Sequence, residues 1–156
     1  MLPPLCRACL FAFAMFMVPA LHAQREKLPP EDLEFVEKTW PNARKTNTGI
    51  RYIIQVEGKG DTPQPGDLVS LLYAGRLLNN VVFEEGRDRK RPIKFRIGRD
   101  EVIAGWDEIV QLMKRGEKRL VIIPSELGYG TRGSGPRIPR NATLVFEMEL
   151  VDFKRE

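Results

Sequence analysis

The chain has 156 residues, enough for one domain with a hydrophobic core, and it carries 25 Lys and Arg against 21 Asp and Glu. Its formal net charge of +4 is too balanced to indicate nucleic-acid binding. Both cysteines, Cys6 and Cys9, and the single histidine, His22, lie near the N-terminus. The rest of the sequence therefore excludes thiol catalysis, disulfides, a Ser-His-Asp triad and an ordinary zinc site, and we expect neither a metal nor a cofactor.

The first 23 residues have the layout of a secretory signal peptide. One charged residue, Arg7, precedes an apolar run from Ala8 to Val18, and the segment ends in small residues at Ala23. The apolar run is too short and broken to span a membrane, so no stable membrane anchor is expected. We predict cleavage after Ala23 and an exported protein. The ending DFKRE lacks a K-D-E-L signal, which favours a periplasm, or secretion, over an ER lumen.

Residues 24–47 are predicted to be a lead-in segment and linker before a domain at 48–156. Pro30, followed by two acidic residues, indicates a helix start, and one or two turns are expected before Pro41. The apolar positions of this helix share one face: Leu33, Val36 and Trp40. The stretch NARKTNTG that follows has the composition of a linker.

From Gly49 onward the pattern is mostly that of β-strands. Five segments carry it: RYIIQVEG, LVSLLYAGRLL, PIKFRIG, KRLVIIP and ATLVFEMELVDF. In the last segment, alternate apolar residues lie opposite Glu147 and Glu149. Helical spacing of apolar residues predicts one helix at 103–114. Strands without βαβ alternation predict an α+β domain in which this helix covers one face of an antiparallel sheet.

The predicted helix begins with a glycine beside a tryptophan. Glycine costs up to about 1 kcal/mol against alanine in a helix, so Gly105 is expected to allow close backbone approach to the sheet. Trp106 would then lie at the edge of the core, as the wall or floor of a pocket. Four strand aromatics could converge on it: Tyr73, Phe83, Phe95 and Phe146. The alternative is that all these rings are ordinary core residues.

Five sequence blocks, in this order, resemble the FKBP-type peptidyl-prolyl cis-trans isomerases. They are LLYAG, VFEEGRDRKRPIKFRIG, EVIAGW, GEKRLVIIPSELGYG and NATLVFEMEL, and the resemblance runs from about Gly49 to Phe153. It implies an antiparallel half-barrel sheet of five to six strands wrapped around one short helix. It also implies an enzyme that accelerates rotation about X–Pro bonds.

The resemblance further implies an apolar pocket in which Trp106 is the floor under the substrate proline. The Ile103 N–H and the Tyr129 hydroxyl would donate hydrogen bonds to substrate carbonyls. Arg89 would pair with the acid at position 84 and a nearby tyrosine, and Ile93 replaces a pocket phenylalanine. The implied pocket residues are Tyr73, Phe83, Glu84, Ile93, Val102, Ile103, Trp106, Tyr129, Ile138 and Phe146.

The function implied by the resemblance involves no covalent, acid or base residue and no cofactor. The partners would be proline-containing segments of unfolded or folding exported proteins, with macrolide inhibitors as further ligands, and the protein is expected to be a monomer. A non-catalytic proline-directed chaperone or adaptor of the same fold is the alternative. The complete set of pocket aromatics favours catalysis.

Three further features lie in the loops and edges. The run GRDRKRPIKFRIGR holds seven basic residues, which could bind acidic partners or a membrane surface, although protection of an edge strand is preferred. The stretch NAT at 141–143 is a glycosylation sequon. The Gly- and Pro-rich stretch at 127–141 lacks the features of a phosphate loop and is predicted to be a mobile lip over the pocket.

Overall fold

A computed structural model describes residues 26–155, and the predicted signal peptide lies outside the described residues. Two α-helices and seven strands occur in this range. In chain order they are α1 (Pro30–Thr39), β1 (Arg44–Lys45), β2 (Arg51–Val56), β3 (Leu68–Leu77), β4 (Val82–Gly86), β5 (Ile93–Arg96), α2 (Ala104–Val110), β6 (Lys118–Ile123) and β7 (Leu144–Lys154). A 3₁₀ turn at Ser125–Leu127 follows β6.

The strands form one antiparallel sheet in the order β1-β2-β6-β7-β3-β4, with β5 paired to β3. The predicted α+β fold is therefore confirmed, and all five predicted strands occur, but the sheet has seven strands rather than five or six. The two unpredicted strands are β1 and β4. The first has only two residues, both charged, and lies in the predicted linker. In the second, Glu84 and Glu85 interrupt the apolar alternation.

The main core lies between α2 and the face of the sheet that it covers, which we call the inner face. Trp106, Ile109 and Val110 of α2 are buried there. On β3 and β7, the positions predicted to face inward do so. Those that join this core are Val69, Leu71, Tyr73, Leu77, Leu144, Phe146, Met148 and Leu150.

Helix α2 is shorter than the predicted helix at 103–114. It ends at Val110, and the chain continues in 3₁₀-type turns with hydrogen bonds from Leu112 N–H to Ile109 O and from Met113 N–H to Val110 O. The Leu112 carbonyl accepts a hydrogen bond from the Arg119 guanidinium at 2.5 Å, so it is satisfied from outside the helix. Met113 is still fully buried in the core. The apolar spacing therefore extends past the last α-helical turn.

Gly105 lies where the first turn of α2 meets β6. A Cβ atom at this position would stand 2.6 Å from Ile123 Cγ2 and 3.2 Å from the Leu127 carbonyl oxygen. Real Cβ atoms do not approach other atoms as closely as the first of these distances, so the predicted close approach is confirmed. The glycine lets the helix start lie directly on the strand, which brings Trp106 against the sheet.

Helix α1 covers part of the opposite, outer face of the sheet. Pro30 occupies its first turn with Glu31 and Asp32, as predicted, and the ten-residue helix is longer than the one or two turns expected. A second hydrophobic cluster forms beneath it. Its buried members are Leu28, Val36, Leu120, Ile122 and Val145, with Leu33 and Trp40 packed beside them.

An ion pair fixes the chain just before α1. Arg51 donates to both carboxylate oxygens of Glu26 at 3.0 Å, and Lys45 Nζ donates to the same carboxylate at 2.8 Å. The Arg51 side chain is only 9% exposed. The hydrogen bonds from Arg51, followed by that from Lys45, hold the pKa of Glu26 well below its usual range against the opposing effect of burial.

We expect Glu26→Gln to lower the free energy of unfolding at neutral pH by about 1–3 kcal/mol, because Arg51 would lose its charged acceptor. A carboxyl group with a lowered folded pKa adds stability above its unfolded pKa, about 4.3 for Glu, and loses it as pH falls toward the folded value. The difference in the free energy of unfolding between wild type and variant should therefore become smaller as the pH is lowered. Urea unfolding at several pH values measures this, with exposed Glu31→Gln as the control. A gap independent of pH would contradict the prediction.

Candidate functional site

The start of α2, the inner face of the sheet and the segment after β6 enclose a cavity of about 170 Å³, which we call the aromatic pocket. Its lining residues are Tyr73, Glu84, Ile93, Glu101, Val102, Ile103, Trp106, Tyr129 and Phe146. Eight of the ten residues predicted for the site are in this set. The other two, Phe83 and Ile138, line an adjoining cavity described below.

Trp106 lies at the centre of the aromatic pocket. Its ring is edge-on to Tyr73 at 4.7 Å between centroids and to Phe146 at 5.3 Å, with Phe95 at 6.0 Å. These are favourable aromatic geometries, and the side chain is only 6% exposed. Trp106 is thus a core residue that also presents a surface to the cavity. Its Nε1–H is buried and has no hydrogen-bond partner within the described residues.

The polar side chains that line the aromatic pocket include two tyrosine hydroxyls and two carboxylates, those of Glu84 and Glu101. Burial, together with a hydrogen bond to the Glu84 carboxylate, raises the pKa of Tyr73 to about 12. Burial, and then the charge of Glu84, also raises the pKa of Tyr129. Both hydroxyls therefore stay protonated at neutral pH. The Tyr73 hydroxyl donates a hydrogen bond to the Glu84 carboxylate.

The backbone at the start of α2 supplies another donor. Ile103 is the N-cap residue, and its carbonyl accepts hydrogen bonds from Trp106 N–H at 2.9 Å and Asp107 N–H at 3.3 Å. The first N–H groups of a helix have no intrahelical acceptor. Because Ile103 also lines the aromatic pocket, its N–H is a candidate donor of a hydrogen bond to a bound carbonyl group.

The segment between β6 and β7, which we call the lip (residues 125–143), borders a second cavity of about 260 Å³, the lip groove. The residues that line it are Phe83, Glu84, Tyr129, Ser134, Gly135, Pro136, Arg137 and Ile138. Glu84 and Tyr129 line both cavities, so the lip groove continues from the aromatic pocket. The sequence analysis did not name Glu101 as a lining residue, and it predicted the stretch 134–137 only as part of a lip over the pocket, since no pattern in one sequence shows where a loop folds back.

Turns and hydrogen bonds define the course of the lip. Gly133 N–H donates to Tyr129 O at 3.2 Å, and Ser134 and Ile138 exchange two backbone hydrogen bonds at 2.9 and 3.2 Å. Arg137 Nη1 donates to Phe83 O at 2.8 Å and so connects the lip to β4. The mobility predicted for residues 127–141, the central part of the lip, stays a prediction.

Arg89 does not have the partners that the family resemblance implied. It forms an ion pair with Glu149 instead, whereas Glu84 accepts a hydrogen bond from the Tyr73 hydroxyl. The reason is the alternation of β7, in which Met148 faces inward and Glu149 faces outward. Arg89 lies beside Glu149 and is not among the residues that line the aromatic pocket.

The basic run around β5 is largely paired within the domain. Arg87 contacts Glu85 and Glu147, and Arg91 contacts Asp88. Among the strands of residues 26–155, β5 pairs only with β3, so it is an edge strand. These contacts agree with the preferred interpretation of the run as protection of a sheet edge.

Residues 26–155 contain neither a cluster of metal ligands nor a helix that could cross a membrane. No group of three or more His, Cys, Asp or Glu side chains in that range could hold a metal ion. Neither helix there has the length and apolar character to cross a membrane.

The fold and the aromatic pocket together define a class of protein: an antiparallel sheet closed by one short helix, with a pocket that offers aromatic surface and hydrogen-bond donors. Residues 59–151 match the family model for FKBP-type peptidyl-prolyl cis-trans isomerases. The chain is 48% identical over 106 residues to FK506-binding protein 1 of Dictyostelium discoideum, covering 68% of this chain and 99% of that one. It belongs to the FKBP-type peptidyl-prolyl cis-trans isomerase family and is an enzyme of that class.

Bacterial relatives are also similar. A probable FKBP-type peptidyl-prolyl cis-trans isomerase of Haemophilus influenzae is 42% identical over 111 residues, 71% of this chain and 45% of that one. FkpA from Escherichia coli superposes with a TM-score of 0.71 at 38% identity, over 80% of this chain and 58% of that one. A Pseudomonas syringae peptidyl-prolyl cis-trans isomerase has a TM-score of 0.71 at 32% identity, over 80% and 92%. The chain thus spans about half the length of the first two.

Proposed function

We propose that the aromatic pocket is the substrate site of this isomerase and that the substrate proline ring packs on Trp106. The observation that carries this proposal is the arrangement of Tyr73 and Phe146, whose rings both stand edge-on to the indole and line the same cavity. A flat apolar floor with aromatic walls suits a small saturated ring. The remaining residues predicted for the site surround the same space or the adjoining lip groove.

The chemistry of X–Pro rotation explains why such a pocket would be sufficient. The cis and trans forms differ by only about 0.5–1 kcal/mol, whereas the rotation barrier is about 18–20 kcal/mol. Twisting the bond removes amide resonance and reduces the charge on the carbonyl oxygen. An aromatic, water-poor pocket therefore disfavours the planar amide more than the twisted one. Each 1.36 kcal/mol of this difference raises the rate about tenfold.

The polar groups of the pocket would orient the substrate and take no part as acid, base or nucleophile. The Ile103 N–H and the Tyr129 hydroxyl would each donate to a substrate carbonyl, which restricts the peptide around the proline. Tyr73 would hold Glu84 at the mouth of the pocket. Residues 24–156 contain neither Cys nor His, which fits a mechanism without covalent steps.

A protease-coupled assay on a Leu–Pro tetrapeptide tests this function. We expect acceleration of cis-to-trans conversion that is unaffected by thiol reagents and by EDTA. Loss of activity with EDTA would show a metal requirement and contradict the proposed mechanism. Peptide binding without any acceleration would contradict catalysis and favour the proline-directed chaperone or adaptor.

Tyr129→Phe is expected to weaken peptide binding while leaving the fold intact. The change removes one hydroxyl from a half-buried side chain, which corresponds to a hydrogen bond worth about 0.5–1.5 kcal/mol, or a factor of about two to ten in affinity. Peptide titration and thermal unfolding of the same variant measure both effects. Tyr52→Phe, on β2, is the matched control. Unchanged affinity in Tyr129→Phe would remove this hydroxyl from the proposed site.

We also propose that this isomerase acts on exported proteins, as a monomer with a domain at 48–156. The support is the signal-peptide pattern of residues 1–23, whose removal would place the lead-in at 24–47 in front of the domain. The exported protein would occupy a bacterial periplasm or the medium. Mass spectrometry of the exported protein should find Gln24 as its first residue, and a product that retains Met1 would contradict export by cleavage.

Macrolides are the proposed inhibitors of the aromatic pocket. The name of the Dictyostelium relative states that it binds FK506. In this chain Ile93 lines the pocket where an aromatic wall would otherwise stand, so binding should be weaker. Competition between FK506 and the peptide substrate tests the proposal, and inhibition without competition would place the macrolide elsewhere.

A further inference from the structure

The lip, residues 125–143, carries two of the residues proposed to contact substrate, Tyr129 and Ile138. Three of its glycines have left-handed φ angles: Gly130 at +55°, Gly133 at +66° and Gly135 at +54°. Glycine adopts many other conformations almost as readily, so local preference alone does not hold the lip in this shape. The position of Tyr129 therefore depends on the contacts that hold the two ends of the lip.

The lead-in contacts the far end of the lip through α1. Asp32 Oδ2 accepts a 2.5 Å hydrogen bond from Thr143 Oγ1, and Thr143 is only 3% exposed. Two residues earlier, Asn141 N–H donates to Gly130 O at 2.8 Å. One hydrogen bond thus joins α1 to Thr143, and a second joins Asn141, two residues earlier, to the residue that follows Tyr129.

The lead-in also contacts the near end of the lip. Lys27 Nζ lies 2.8 Å from Glu126 Oε2, and Glu126 belongs to the 3₁₀ turn just before Tyr129. The chain around Lys27 is itself held in place, because Glu26 pairs with Arg51 and Leu28 is buried in the outer cluster. Both ends of the lip therefore contact the same segment, the lead-in.

This segment lies outside the part of the chain that the family model matches, which begins at residue 59. The Dictyostelium relative matches over 99% of its own length and leaves about a third of this chain without a counterpart. The contacts from Asp32 and Lys27 therefore reach the domain from residues outside the family-model match.

We propose that Asp32 and Lys27 are positioning residues of the isomerase: by holding the two ends of the lip, they set the place of Tyr129 and Ile138 beside the bound peptide. This inference rests on the proposed role of the aromatic pocket. A displacement of a contacting group by about 1 Å is enough to weaken a positioned interaction strongly. Removing either the Asp32–Thr143 or the Lys27–Glu126 contact should raise KM, since the lip is proposed to contact substrate. The change in kcat, which reports the bond rotation, should be smaller.

Asp32→Ala and Thr143→Val remove the hydrogen bond between Thr143 and Asp32, and Asp32→Asn keeps an acceptor oxygen at this position. We expect KM to rise about two- to tenfold in the first two variants, with a smaller change in kcat, and to return toward wild type in the third. The double variant Asp32→Ala/Thr143→Val should be no worse than either single one, because they break the same contact. Glu34→Ala, which removes an exposed carboxylate from the same helix, is the matched control and should leave KM unchanged.

A second readout needs no isomerase activity. The lip carries three exposed arginines, Arg132, Arg137 and Arg140, at which trypsin can cut. Limited trypsin digestion at a temperature where every variant remains folded should cut the lip faster in Asp32→Ala than in Glu34→Ala. Lys27→Met removes the ion pair with Glu126 at a partly exposed site and should also speed cleavage of the lip. This variant can be tested even if Asp32→Ala does not fold.

The outcomes separate this inference from the proposed function. If Tyr129→Phe weakens binding but Asp32→Ala and Lys27→Met change neither KM nor lip cleavage, the positioning role is wrong and the substrate site stands. If Asp32→Ala lowers stability alone, its role is merely structural and the inference is again wrong. If wild type fails to catalyse while the variants still speed lip cleavage, the lead-in does hold the lip and the proposed function is the part that fails.

Discussion

Trp106→Ala is expected to lower the free energy of unfolding by about 3–5 kcal/mol, the usual cost of truncating a large buried aromatic side chain. The indole is in contact with three other aromatic rings and is 6% exposed, so its removal leaves a cavity that the sheet and α2 cannot close. The same change removes the proposed floor of the substrate site. We therefore expect kcat/KM per folded molecule to fall at least about tenfold as well.

Urea unfolding and the peptide assay on the same samples measure the two effects. Trp40→Ala is the matched control, because Trp40 packs in the outer cluster beneath α1 and does not line the aromatic pocket. It should lose stability and keep kcat/KM. Trp106→Phe preserves more of the packing and can replace Trp106→Ala in both measurements if the alanine variant does not fold. Full kcat/KM per folded molecule in a destabilised Trp106 variant would show that the residue is only core.

Gly105→Ala is expected to destabilise the protein by about 1–3 kcal/mol, the usual cost of adding a methyl group to a well-packed site. Alanine would gain up to about 1 kcal/mol in helix propensity, but the added Cβ would lie 2.6 Å from Ile123 Cγ2 and 2.9 Å from its Cδ1. Ile123 is fully buried, so the strain must move the start of α2. Because Ile103 and Trp106 flank this position, kcat/KM should fall too.

Ala104→Gly, at the exposed first position of α2, is the control for Gly105→Ala. It should cost no more than the loss of helix propensity, about 1 kcal/mol, and leave kcat/KM near the wild-type value. Thermal unfolding and the peptide assay compare the two variants. A Gly105→Ala protein more stable than wild type would show that the first turn has room for a side chain.

The pocket residues that could be predicted are those on regular elements. Tyr73 and Phe146 face inward because strand alternation puts them there, and Trp106 follows from its place at the start of the helix. Glu101 was missed, and the lip-groove residues 134–137 were predicted only as part of a lip over the pocket, because their positions depend on how irregular backbone folds back. Phe83 and Ile138 were expected in the pocket and line the neighbouring groove instead.

The sequence by itself determined the antiparallel sheet, the helix that covers it, the close approach at Gly105 and the lack of Cys and His after residue 23. These features are local or periodic: they depend on alternation, helical spacing or residue type, each readable along one stretch of chain. The five sequence blocks add the family, because their order and spacing are also a property of the linear chain.

Only the tertiary structure decided which distant groups meet. Arg89 pairs with Glu149, which faces outward from β7, although the residue expected to pair with it, Glu84, is closer in sequence. Likewise, α1 covers the outer face and reaches Thr143, 111 residues from Asp32, and no periodicity links those two positions. Side-chain pairing follows the spatial order of the strands, and long-range contacts depend on the whole fold. For that reason the contacts between the lead-in and the lip became visible only in three dimensions.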